Sequence, residues 1–123
     1  MGSVEVVRVY EDCGRRSGEH RLLVDRLWPR GVRKASLDFD EWLKDAAPST
    51  ELRRWYGHDP DRFTEFARRY RVELNREPAA SALEHAREIA HGDRHLGLLT
   101  ATHDVEHSGA AVLRDVLTVS TGT

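Results

Sequence analysis

Three short runs rich in β-branched and apolar residues constrain this chain most: Val4 to Tyr10, Arg21 to Leu27 and His95 to Ala101. Each has the length of a strand, and a long interval with helical periodicity separates the second from the third. Strands alternating with helices favour an α/β domain with a small, at least partly parallel sheet, since parallel strands need a crossover between them. The first run reads Val-Glu-Val-Val-Arg-Val-Tyr. The second carries Leu22, Leu23 and Val24 and stops at Pro29 and Gly31, neither of which continues a strand easily. The third carries Leu96, Leu98, Leu99 and Thr100. Between the first two, Glu11 to His20 is polar, contains Gly14 and Gly18, and reads as a loop.

The interval from 38 to 90 predicts several helices. Asp38 with Glu41 three residues later reads as a capping box for a short helix carrying Trp42 and Leu43. Pro48 stops it, Ser49 caps a second short helix with Leu52, Trp55 and Tyr56, and Gly57 breaks the chain. Asp59 followed by Pro60 is a strong helix start, a capping carboxylate with proline at the first helical position. Phe63, Phe66, Ala67, Tyr70 and Leu74 then recur at three- and four-residue spacing along one face. Pro78 ends or bends that helix, and Ser81 restarts one through Leu83, Ala86, Ile89 and Ala90. Asp104 is the expected cap of a last helix facing inward with Val105, Val112, Leu113 and Val116. The expected fold is α/β: a small Rossmann-like or three-layer arrangement, its partly parallel sheet flanked by helices. One domain spans residues 1–118, with a flexible tail at 119–123.

A chain of 123 residues can enclose one hydrophobic core. With 39% hydrophobic and 33% charged residues it reads as a soluble globular protein. A net charge of −2 argues against general electrostatic binding to nucleic acid, which wants a basic footprint. The single cysteine, Cys13, excludes an internal disulfide and fits a reducing compartment. No apolar run approaches the roughly 18–20 residues of a membrane helix, and no signal peptide is evident. The expected location is the cytoplasm. Oligomeric state and cofactor are left open.

The chemistry concentrates in Asp25-Arg26-Leu27-Trp28-Pro29-Arg30-Gly31, where the second strand runs out into a loop. In open α/β sheets ligands bind beyond the carboxyl ends of the strands. Arginine forks suit phosphate or carboxylate, and Trp28 could stack on a planar ring or form a cation–π lid. Equally, Asp25 could pair internally with an arginine while Trp28 fills the core. Arg30, held between proline and glycine, is the residue that points most to a ligand. His58 is a histidine beside a carboxylate, Asp59, but that carboxylate already serves as a helix start.

His103-Asp104-Val105-Glu106-His107 comes closest to a catalytic or metal motif. A helix capped at Asp104 leaves His103 outside, so the four-residue register for a shared metal is lost, and no third ligand is evident. Asp104 and His107 instead sit where the third strand ends and would face Asp25 and Arg30 across one cleft, supplying proton transfer. Cys13 precedes Gly14-Arg15-Arg16, yet position 19 is Glu where a phosphatase-type loop needs arginine. His91 and His95 read as surface residues, Tyr70 as core, and Glu73 as a partner for an inward arginine. Arg68, Arg69, Arg71 and Arg76 form a solvated face.

Taken together, Arg21 to Gly31, Glu41 to Lys44, Ala47 to Leu52, Trp55 to Pro60, Tyr70 with Glu73-Leu74, Leu98-Leu99, Asp104, His107, Ala110 and Leu113 carry a family resemblance. They resemble the small bacterial proteins grouped as domain of unknown function 488, the YeaO-like group. The resemblance covers nearly the whole chain but carries no settled activity. Two positions depart from the family pattern: His103 stands where a lysine is expected, and Ser108 where an asparagine is usual.

The functional expectation is a site for a phosphorylated or nucleotide-like anion, held by Arg26 and Arg30 with Asp25, Trp28 and His58 beside it. Asp104 and His107 would do any chemistry. The alternatives are a non-catalytic module meeting nucleic acid or protein through the arginines of residues 62–76, and a purely structural ion-pair network.

Overall fold

The computed structural model describes residues 3–11, 14–92 and 94–119. Strands β1 (Val4–Arg8), β2 (Glu19–Leu23), β3 (Glu41–Trp42) and β4 (His95–Thr100) form one sheet in the order β1-β4-β2-β3. All three pairings are parallel. Four helices accompany them: α1 (Thr50–Tyr56), α2 (Phe63–Glu73), α3 (Ala79–Ala90) and α4 (Gly109–Val119). The parallel sheet is the arrangement expected when every strand-to-strand connection must cross over. None of the helices among the described residues is long and apolar enough to cross a membrane.

The pleat divides the core in two. Leu22, Val24, Leu96 and Leu98 project into one large cluster with α1, α2, α3 and α4, where Phe66, Tyr70 and Leu113 are almost fully buried. Leu23 and Leu99 project the other way, against Leu37, Phe39, Trp42 and Trp28 from the segment that follows β2. The helices therefore cover one face and an irregular segment covers the other. This alternation also buries charge: Glu19 and Arg21 share the face of Leu23, with Arg21 wholly buried and 3.3 Å from Glu19.

Several local signals were faithful. Ser49 Oγ accepts the Leu52 N–H at the start of α1, and Gly57 ends that helix in the left-handed conformation at φ 55°. Asp59 accepts the Asp61 N–H and Pro60 opens a 3-10 turn (Pro60–Arg62) that leads into α2. Several expectations are corrected, the first being the second strand, which runs Glu19–Leu23 rather than from Arg21 to Leu27 and so begins inside the stretch read as a loop. Residues 41–42 are an edge strand, not part of a helix: Leu22 and Leu23 pair with Glu41 and Trp42, while Asp38 is drawn into an ion pair with Arg15 at 2.6 Å. Asp104 does not cap the last helix. A 3-10 turn (Val105–His107) intervenes, and Ser108 takes the capping place, its Oγ accepting the Ala111 N–H at 3.1 Å. Helix α4 extends to Val119, one residue into the expected tail; the rest of that tail and Cys13 lie outside the described residues.

Candidate functional site

A cleft of about 520 Å³ opens beyond the carboxyl ends of β2 and β4, bounded by α1 and the amino end of α4. Its floor is Asp25, two residues past β2. One carboxylate oxygen accepts the Thr100 hydroxyl and the other accepts the Ala101 N–H, each at 2.7 Å. Parallel pairing sets this up: Leu23 lies level with Leu99, so Asp25 reaches the first residues beyond that register. Burial pushes the Asp25 carboxyl above its ordinary range, against the pull of those two donors and the nearby Arg53 charge.

The rest of the Asp25–Gly31 string divides between fold and cleft. Arg26 donates to the carbonyls of Pro48 and Ala47 at 3.2 and 3.0 Å, strapping the loop to the start of α1. Trp28 donates its indole N–H to the Val32 carbonyl and meets Phe39 and Trp42 edge to face, each at 5.5 Å. Its ring is thus held inside the second core cluster, although its edge borders the cleft. Arg30 differs. Its backbone carbonyl accepts the Tyr10 hydroxyl at 2.7 Å, which pins the loop, while its exposed guanidinium makes no hydrogen bond or ion pair among the described residues.

Across the cleft, Asp104 and His107 are joined end to end by the 3-10 turn between them. Asp104 Oδ2 lies 2.8 Å from His107 Nδ1, and that contact holds the Asp104 carboxyl below its usual range. Because the carboxylate can only accept, the proton of the neutral ring sits on Nδ1, leaving Nε2 as an acceptor. Phe63 fixes the ring from its edge at 5.2 Å, and the Tyr56 hydroxyl fixes the backbone by donating to the His107 carbonyl. His58 borders the cleft from a left-handed backbone at φ 58°, just after Gly57. Its neighbour Asp59 faces its own helix start, so the two do not act at one point. His103 is exposed at the rim.

Sequence reasoning missed Arg53. It lies half-buried on α1 and lines the cleft, and its guanidinium, like that of Arg30, makes no hydrogen bond or ion pair among the described residues. The available signal was helical spacing: Arg53 stands three residues before Tyr56, on the same side of α1. With Arg53 included, three guanidiniums (Arg26, Arg30, Arg53) face two carboxylates (Asp25, Asp104) around the cleft. Its balance is therefore positive by one charge with the histidines neutral, opposite in sign to the net −2 of the chain. Among the described residues no group of three or more His, Cys, Asp or Glu side chains is placed to hold a metal ion.

Comparison with known proteins agrees with the residue pattern. The family model described as the inactive DUF488-N3 subclade matches residues 3–122. The uncharacterized protein Rv3073c of Mycobacterium tuberculosis is 47% identical over 114 residues, 93% of this chain and 92% of the relative. The uncharacterized protein Mb3100c of Mycobacterium bovis matches to the same extent, 47% over 114 residues. The uncharacterized protein YeaO of Escherichia coli is 42% identical over 72 residues, 58% of this chain and 62% of the relative. No solved structure matches. The residue pattern and the near full-length match converge on one conclusion: this chain belongs to the DUF488 family, in its YeaO-like group.

Proposed function

We propose that this protein binds a small phosphorylated or nucleotide-like anion in the cleft between the Asp25–Gly31 loop and the Asp104–His107 turn. The observation that carries this reading is the pair Arg30 and Arg53, two guanidiniums with no hydrogen bond or ion pair among the described residues, lining one cleft at the carboxyl ends of the strands. Arginine satisfied by its own protein has a structural use; arginine left open toward a cleft has donors to spare for an oxyanion. Binding without turnover fits best, because the matching family model is described as inactive. In that role the Asp104–His107 pair orients the ligand by accepting a hydrogen bond at His107 Nε2 from a donor group of the ligand.

The second reading, an interaction surface made by the arginines of residues 62–76, is weakened by how three of those five residues are used. Arg68 and Arg69 both bond Glu65, at 2.7 and 2.8 Å, and Arg62 and Arg69 lie over the Trp55 ring at 5.3 and 4.2 Å. Arg71 and Arg76, exposed and with guanidiniums that make no hydrogen bond or ion pair among the described residues, are the part of that face left open.

The test is a thermal-shift screen of the wild type, Arg30→Ala and Arg53→Ala against inorganic phosphate, sugar phosphates and nucleotides. A compound at 100 times its dissociation constant adds about 2.7 kcal/mol, or about 10 °C in Tm for a domain of this size. Each variant should abolish that shift while its own Tm stays within about 2 °C of wild type, as expected for a side chain that holds nothing else in place. A flat screen, or a shift that survives both substitutions, rejects the proposal.

A further inference from the structure

We infer that Asp25 makes the cleft selective for an organic phosphate that carries hydroxyl groups, its carboxylate accepting a hydrogen bond from a ligand hydroxyl while the phosphate engages Arg30. The inference rests on the anion-binding reading above and specifies its ligand class. Three observations lead to it. The first is size. At about 520 Å³ the cleft is in the range of small-molecule sites, and one water takes only about 30 Å³, so a bare oxyanion would leave most of it to solvent.

The second is the state of the Asp25 carboxylate. Thr100 and Ala101 fix both oxygens in position, one donor to each. An ionised carboxylate offers about four acceptor directions. Two are used within the protein, and the remaining capacity belongs to a residue that lines the cleft. A second anion is repelled from that floor, so the phosphate belongs with Arg30 at the exposed side of the loop, and what approaches Asp25 must be a donor.

The third observation decides which donor. Arg53 lies close enough for its positive charge to act on Asp25, and Arg26 also borders the cleft. A ligand ammonium placed on Asp25 would meet these cations. A hydroxyl supplies the hydrogen bond without the charge. The ligand is therefore a hydroxyl-bearing phosphate rather than an amino phosphate or an alkyl phosphate.

The test uses the full chain and NMR titration of backbone amides with ribose 5-phosphate, n-pentyl phosphate and inorganic phosphate. Wild type should bind ribose 5-phosphate about tenfold or more tightly than n-pentyl phosphate, the gain expected of one hydrogen bond to a charged acceptor. Asp25→Asn retains the local structure, since its oxygen still accepts from Ala101 and its amide can donate to Thr100. Its oxygen keeps one open acceptor direction but carries no charge, so the preference for ribose 5-phosphate should fall about threefold or more. Arg30→Ala should weaken both alike. Equal binding of both by wild type, or a preference undiminished in Asp25→Asn, overturns the assignment to Asp25 and leaves the anion site standing. Failure of all three probes to bind overturns both. The comparison between probes on the wild type needs no variant, so a folding defect in Asp25→Asn would not shield the inference.

Discussion

Replacing Gly97 with alanine tests how rigidly the sheet holds its buried charges. A Cβ at this position would lie 2.7 Å from Glu19 Oε2, closer than real contacts allow, and a tight 3.2 Å from its Cδ. A long surface side chain would swing aside at small cost. Glu19 is instead 4% exposed, its Oε1 accepts the Arg16 N–H at 3.1 Å, and it lies 3.3 Å from Nε of the wholly buried Arg21. Moving the carboxylate weakens a buried ion pair, whose outright loss costs about 3–5 kcal/mol. Overpacking relieved by small shifts costs about 1–3 kcal/mol, and the entropy removed from the unfolded chain returns about 0.5–1 kcal/mol. The net expectation is a loss of about 2–3 kcal/mol, or about 10 °C in Tm at this chain length. Urea unfolding of wild type, Gly97→Ala, Glu19→Ala and the double variant closes the cycle. On the Glu19→Ala background, where the obstructing carboxylate is gone, Gly97→Ala should cost less than about 1 kcal/mol. A single-variant loss below about 0.5 kcal/mol, or one that is the same on both backgrounds, would refute the claim that Glu19 is locked in place.

Asp25 gives a pH signature. Its folded-state carboxyl is held above the ordinary 3.8, chiefly by burial, so the folded chain binds that proton more tightly than the unfolded one. Its contribution is greatest at low pH and is lost as pH rises through the folded-state value. The urea midpoint of Asp25→Asn relative to wild type should therefore climb between pH 4 and pH 7, and a flat difference would count against the buried carboxylate. Glu41 has the opposite sign. His85, and then His20, hold its carboxyl below the ordinary 4.5, so its contribution is present above that value and fades as pH falls through the folded-state one. His85→Ala should make the acid-side fall in the urea midpoint shallower than in wild type, and an unchanged slope would rule out this pairing as its source. Tyr70→Phe removes the buried hydroxyl that donates to the Ala46 carbonyl, leaving that acceptor unmatched. Chemical denaturation should register a loss of about 1–2 kcal/mol, and a neutral result would mean the carbonyl finds another donor.

How much was legible depends on how local the cause was. Ser49, Gly57 and the Asp59–Pro60 pair act within a few residues of themselves, and each keeps in the fold the role its chemistry predicts. The capping box at Asp38 and Glu41 was equally local in form and was overruled. Arg15, 23 residues earlier in the chain, takes Asp38, and β2 takes Glu41 and Trp42 as an edge strand. Two residues pairing with a distant strand leave no periodicity to detect. Trp28 illustrates the same limit: nothing near it in sequence says that Phe39 and Trp42 will fold back to enclose it.

The sequence by itself determined the family, the α/β class, the apolar stripes of the helices and the chemical character of the Asp25–Gly31 string. These depend on residue type and short-range spacing, which chain order preserves. Only the tertiary structure decided how that string divides its labour. Arg26 and Trp28 are turned to the fold by partners 4–22 residues away, while Arg30 is left open to the cleft. It also brought in Arg53 from a helix more than 20 residues downstream and set Asp25 against Thr100 and Ala101, 75 and 76 residues away. Parallel pairing of β2 with β4 brings those residues to one end of the sheet, and that register is a property of the folded chain.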